Sequence, residues 1–237
     1  DGAQECQYGA RKPYSSCEAD WFATLERGLG PAYTVVRRVN LWEMRLGLYV
    51  RTDRAGAVSG VESDTRATGA GRVLGNKGGC GVSFSYFDTR YSFVSSHLAA
   101  NTEKIRQRND HAGSIVTHLQ LGEPGVDAMS QSHYVFFMGD LNYRIEMEYN
   151  TAIMNITKKK YNDLLRHDQL THERMRRRVF FSPDEVEFAR SNEEEAEEFT
   201  LERPPVDVQK GGDNRMRVDR LTQGSVVSRM GREDEKG

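Results

Sequence analysis

An α/β fold is predicted by three features of the chain. Short runs of β-branched and aromatic residues mark strands, stretches with apolar side chains at helical spacing lie between them, and a length of 237 residues suits one domain. The net charge of -2 and a pI near 6.4 argue against a protein that coats nucleic acid by bulk charge, so no nucleic-acid partner is expected and an anionic ligand must be met locally. Cys6, Cys17 and Cys80 are an odd number without metal-ligand spacing, which indicates neither a disulfide framework nor a zinc site and favours a reducing cytoplasm. No apolar run approaches the roughly 20 residues that span a bilayer, so no transmembrane segment is expected.

Within residues 17–29, Trp21, Phe22, Leu25 and Leu29 recur at helical spacing, and Gly30 with Pro31 ends the run. Residues 33–39 and 44–50 read as strands paired through the turn between them, the second with Arg45 and Arg51 at its edges. Residues 52–71 are polar and glycine-bearing and read as an exposed connection with a short strand around 58–61. The string Gly75-Asn76-Lys77-Gly78-Gly79 follows. Glycines beside Asn76 and Lys77 let backbone N–H groups and one ammonium approach an anion, although an ordinary hairpin loop accounts for the same string and the Walker spacing is absent.

Residues 80–87 form the next strand, with Val82, Phe84 and Tyr86 on one face and Ser83 and Ser85 on the other. After a turn at Asp88, residues 91–95 return as a strand that delivers His97 just beyond its end. A helix is expected from Asn101, as N-cap, to Leu119, with Ile105, Ala112, Ile115, Val116 and Leu119 inward and Lys104, Arg106, Arg108 and Asp110 largely outward. A loop over 122–132 leads to the strand that opens at Tyr134. There the apolar run stops at Gly139, and Asp140, Asn142, Tyr143 and Arg144 follow at close spacing. A Gly-Asp turn needs only the first two of those groups. A carboxylate, an amide, a phenol and a guanidinium leaving one strand end suit a metal-bound phosphoester better.

Beyond it, residues 161–165 read as part of a short helix, Asp168 precedes another, and Lys158-Lys159-Lys160 is either a solvated turn or a contact for an anionic membrane surface. Residues 191–237 carry the acidic block from Glu193 to Glu198, the Pro204-Pro205 break and few aromatics, which predicts a loosely ordered tail.

Six pieces together resemble one family, the Mg²⁺-dependent inositol polyphosphate 5-phosphatases. They are Gln4-Glu5, the segment 42–50 with Met44-Arg45-Leu46, the Leu-Gly-Asn-Lys-Gly-Gly string at 74–79, Phe-Val-Ser-Ser-His-Leu-Ala-Ala at 93–100, the segment 137–145, and Asp163-Leu164-Leu165 with Asp168-Gln169-Leu170 and Glu173-Arg174. The resemblance covers residues 1–190, is most similar to the SHIP-type lipid phosphatases, and makes that span one catalytic domain. It implies two mixed β-sheets packed face to face with helices outside, an architecture shared with Mg²⁺-dependent nucleases. It implies Glu5 as the metal-binding carboxylate and His97 as the group bonded to the scissile phosphate. Asp140 would orient and deprotonate the water, and Asn142 would donate to phosphoryl oxygens. Asn76, Lys77, Tyr143 and Arg144 would line a site for a phosphoinositide or a soluble inositol polyphosphate.

The chain also departs from the family. The asparagine strand before Gln4-Glu5 is absent, Arg190-Ser191-Asn192 stands where Pro-Thr-Tyr is expected, and no histidine follows His172 to form the terminal Asp-His pair. The domain is therefore expected to be incomplete at both ends. Hydrolysis of a 5-phosphate leads the functional readings; a phosphoinositide-binding homologue with a defective site, and a Mg²⁺-dependent nuclease, are the alternatives.

Overall fold

The computed structural model describes residues 1–6, 17–69, 77–180 and 226–229, the last by backbone alone. Two sheets lie at its centre. In the smaller, β1 (Gly2–Ala3), β3 (Met44–Arg51) and β2 (Tyr33–Leu41) follow in that spatial order, with both pairings antiparallel. The larger runs β4 (Val58–Ala67), β5 (Gly78–Tyr86), β6 (Thr89–His97), β7 (Tyr134–Asp140) and β8 (Val226–Arg229). It is mixed, because β6 and β7 are parallel while its other neighbours are antiparallel. The parallel step needs a crossover, which α2 (Ile105–His118) supplies. The remaining helices are α1 (Glu18–Leu29), α3 (Tyr149–Thr157), α4 (Tyr161–Leu165) and α5 (Gln169–Met175).

Strands β5 and β6 of the larger sheet bury side chains on both faces. Cys80 and Val82 of β5 meet Val39, Met44 and Leu46 of the smaller sheet. Alternate residues turn to the helix side, where Val94 and Phe137 pack with Ala112, Ile115, Leu119 and Leu121. The period-two reading of β5 is therefore correct, but Ser83 is buried and donates to the Leu121 carbonyl at 2.9 Å. The lack of a side chain at Gly79 lets α2 approach, since a Cβ there would lie 2.7 Å from Ile115. On the inner face Phe93 stacks on Phe136 at 4.7 Å and Tyr91 on Tyr134 at 5.4 Å, a ladder that fixes the register of the parallel pair.

Five expectations change. The segment read as a connection with a short strand contains a 3₁₀ helix (Thr52–Ala57) and then the ten-residue β4, which pairs with β5 along its length. The helix expected from Asn101 begins at Ile105, and Asn101 itself has a left-handed φ of 77°. Arg108 explains the delay. It is fully buried rather than outward, and its guanidinium donates to the carbonyls of Ala99, Asn101 and Thr102, which holds that stretch out of helix. Arg45 is likewise buried rather than at a strand edge, with its guanidinium on the Trp42 and Met44 carbonyls. Finally, α3 was not expected. Its β-branched and Asn-rich sequence is a poor helix former, and the Glu148 carboxylate starts it by accepting from the amides of Asn150 and Thr151. Of the tail, residues 226–229 form the edge strand β8; residues 181–225 and 230–237 lie outside the described residues.

Candidate active site at the strand ends

The parallel register of β6 and β7 sets His97 directly beside Asp140, each the last residue of its strand. Gly78, the first residue of β5, lies opposite His97 on the other side, which brings the preceding Lys77 to the same edge. Sheet topology alone thus gathers a cation, an imidazole and a carboxylate from three adjacent strands. Lys77 Nζ lies 2.6 Å from His97 Nε2, and that same nitrogen lies 3.3 Å from Asp140 Oδ2. An ammonium only donates, so Nε2 receives a proton from Lys77 or gives one to Asp140, and the tautomer decides which.

Gly139 makes the close approach feasible. It has φ 119°, and a Cβ there would sit 2.1 Å from the Ser96 carbonyl oxygen. Beyond it the chain turns sharply. The Asn142 amide donates to Asp140 Oδ1 at 3.2 Å, an Asx turn that fixes the carboxylate, and Asn142 adopts φ 58°. Asn142 Nδ2 donates to the Leu98 carbonyl at 3.1 Å, and Asn142 Oδ1 accepts from Arg144 Nη2 at 2.6 Å. Only the first of these bonds uses an amide hydrogen, so the NH₂ keeps one more for a ligand.

Glu5 arrives from the smaller sheet. Gln4 anchors the strand end by donating to Ser95 Oγ at 2.8 Å across the sandwich, and Glu5 then takes φ 55°. Its Oε1 stands 4.0 Å from His97 Nε2, with the side chain 39% exposed. Among the described residues no group of three or more His, Cys, Asp or Glu side chains is arranged to hold a metal. A single accessible carboxylate does fit a hard cation that keeps its waters and takes its remaining ligands from substrate. Burial raises the Asp140 pKa, but the His97 hydrogen bond and the charges of His97, Lys77 and Arg144 outweigh it, so the carboxyl is held below its ordinary value. It is a permanent anion at neutral pH.

Of the residues read from sequence, Glu5, Lys77, His97, Asp140, Asn142 and Arg144 converge, while Asn76 lies outside the described residues. Tyr143 is a correction. It is 8% exposed within the helix-side core, its hydroxyl donates to Asn109 Oδ1 at 2.6 Å, and burial pushes its pKa well up. The turn at Asn142 points it inward, so it supports the site rather than lining it. Gln169 was not given a role from sequence. Buried at the start of α5, it exchanges hydrogen bonds with the Arg144 backbone, accepts from Arg108 at 2.6 Å and donates to the Thr102 carbonyl. It joins the loop after β6 to the loop after β7; only its place in a family-like string signalled it.

Comparison with known proteins accords with this geometry. The family model described as Endonuclease/Exonuclease/phosphatase family 2 matches residues 2–191. The phosphatidylinositol 3,4,5-trisphosphate 5-phosphatases 1 and 2 of Homo sapiens are 34% and 33% identical over 73% and 79% of this chain. The matched regions span 16% and 15% of those two proteins. The solved inositol polyphosphate 5-phosphatase domain of SPsynaptojanin, in complex with inositol (1,4)-bisphosphate and calcium ion, superposes with a TM-score of 0.64 at 28% identity. That superposition covers 76% of this chain and 53% of the other. A Cimex nitrophorin, at 17% identity and TM-score 0.52, shares the fold alone. With a family model matching most of its length and the two-sheet architecture to accompany it, the chain belongs to Endonuclease/Exonuclease/phosphatase family 2.

Proposed function

We propose that this chain acts on the 5-phosphate of a phosphoinositide or soluble inositol polyphosphate, hydrolysing it with Mg²⁺ by in-line attack of water. The observation that carries the reading is the convergence of Lys77, His97, Asp140 and Asn142 at three adjacent strand ends. Asp140 accepts a hydrogen bond from the attacking water and takes its proton as the bond to phosphorus forms. The Asn142 amide and the His97 imidazole donate to phosphoryl oxygens, and Lys77 and Arg144 offset the phosphate charge. Glu5 would hold Mg²⁺, which when bound would supply Lewis-acid stabilisation of the phosphoryl group. The names of the relatives support the substrate class.

The test is phosphate release from 5-phosphorylated inositol substrates with Mg²⁺, compared with Asp140→Ala. Equal release by the variant contradicts the assignment. The alternative reading, a phosphoinositide-binding homologue, predicts stoichiometric binding to phosphoinositide vesicles with no phosphate release.

The same reading extends to the membrane. Tyr149, Ile153 and Met154 of α3 and Tyr161 and Leu165 of α4 are exposed, and Lys158, Lys159 and Lys160 between them are exposed as well. Apolar groups beside a lysine cluster suit shallow contact with an anionic bilayer. No helix among the described residues is long and apolar enough to cross one.

A further inference from the structure

We propose that Cys6 and Cys17 are a thiol pair that a hydroperoxide converts into an intramolecular disulfide, tying the Glu5 end of β1 to the first turn of α1. Cys17 stands immediately before α1, and its Sγ donates to the Cys6 carbonyl oxygen at 3.0 Å. The backbone of Cys6 is pinned, since its amide donates to the Glu43 carbonyl at 2.8 Å. Cys6 Sγ lies 3.7 Å from the Gln4 carbonyl oxygen. The Cys17 sulfur thus already rests against the Cys6 main chain, and rotation of the Cys6 side chain towards it is the movement the cross-link requires. Both residues are half-buried and reachable by a small oxidant, whereas Cys80 is sealed between the sheets.

The chemistry balances with hydrogen peroxide as oxidant. The Cys17 thiolate attacks one peroxide oxygen. The O–O bond breaks, and the departing hydroxide takes up the proton that Cys17 released. The product is a sulfenic acid. The Cys6 sulfur then attacks the Cys17 sulfur, the S–O bond breaks, and hydroxide leaves as water with the Cys6 proton. Two thiols give up two electrons, and one peroxide becomes two waters. Thioredoxin-type dithiols reverse the step. Because Glu5 directly precedes Cys6 and sits at φ 55°, the cross-link fixes the conformation that presents its carboxylate. That consequence rests on Glu5 as the metal ligand.

The experiment treats the full reduced chain with hydrogen peroxide under native conditions, then alkylates, digests and maps peptides by mass spectrometry. The expected result is a Cys6–Cys17 disulfide with Cys80 alkylated only after unfolding, reversal by dithiothreitol, and a melting temperature raised by about 5 °C. Cys17→Ser abolishes that rise. Disulfide-linked dimers, a bond to Cys80, or thiols at 6 and 17 that stay free overturn the proposal. Mg²⁺ affinity by calorimetry, before and after oxidation, is expected to change about tenfold. A Cys6–Cys17 bond with unchanged Mg²⁺ affinity contradicts the role given to Glu5 rather than the thiol pair.

Discussion

His97 and Asp140 end neighbouring parallel strands in direct register, and His97 Nε2 lies 3.3 Å from Asp140 Oδ2 while Lys77 Nζ lies 2.6 Å from the same nitrogen. One imidazole nitrogen is thus shared between a cation and an anion. In the proposed reaction the substrate phosphate would relieve this competition, accepting from Lys77 and leaving the imidazole free to bond elsewhere.

From that contact it follows that Lys77→Met weakens binding of inositol polyphosphates by about tenfold or more, the usual worth of a charge-assisted hydrogen bond. Calorimetric titration of the wild type and the variant measures it. Unchanged affinity with unchanged fold places the phosphate elsewhere.

Gly139→Ala is expected to destabilise the domain by several kcal/mol, since it combines a φ of 119° with a Cβ 2.1 Å from the Ser96 carbonyl oxygen. The β6–β7 register depends on that approach, so phosphate binding is lost together with stability. Chemical denaturation of the variant checks the size, and a loss under about 1 kcal/mol contradicts the geometry.

Arg108 donates to three backbone carbonyls and to Gln169, and its guanidinium lies 5.2 Å from the Tyr143 ring centre. Arg108→Met leaves those buried acceptors unpaired and is expected to cost about 3–5 kcal/mol. Backbone amide exchange should quicken first between Ala99 and Lys104 and around Arg144, the two segments that Arg108 and Gln169 join.

His111 gives stability a defined pH dependence. Burial lowers its pKa below the ordinary 6.5, with Asp110 opposing and Lys77 and Lys104 adding to the fall. The unfolded chain therefore binds this proton more readily. The contribution of neutral His111 is complete above pH 6.5 and is lost as pH drops through the lower folded value. In His111→Phe the slope of stability against pH should flatten below 6.5 relative to wild type; an identical slope assigns the acid sensitivity to other groups.

How much of this was legible in sequence depends on where the information lies. The strand ending at Asp140 and the helix Tyr161–Leu165 follow from local pattern, and both stand as read. Strand β4 was under-read because its polar sequence carries little strand signal; its length comes from pairing with β5. Arg108 and Tyr143 were misplaced for one reason. A guanidinium or phenol reads as surface or site until its acceptors are known, and those acceptors lie far off in the chain or in an irregular loop. Site residues at strand ends were easier, because a polar group that terminates an apolar run is visible without the fold. The positive φ of Glu5, by contrast, had no sequence signal.

The measurement that bears most directly on the central claim is release of inorganic phosphate from a 5-phosphorylated inositol polyphosphate by the full chain with Mg²⁺, in parallel with Asp140→Ala. The predicted result is Mg²⁺-dependent release from the 5-position that falls by about 100-fold or more in the variant. Release that persists undiminished in Asp140→Ala would contradict it.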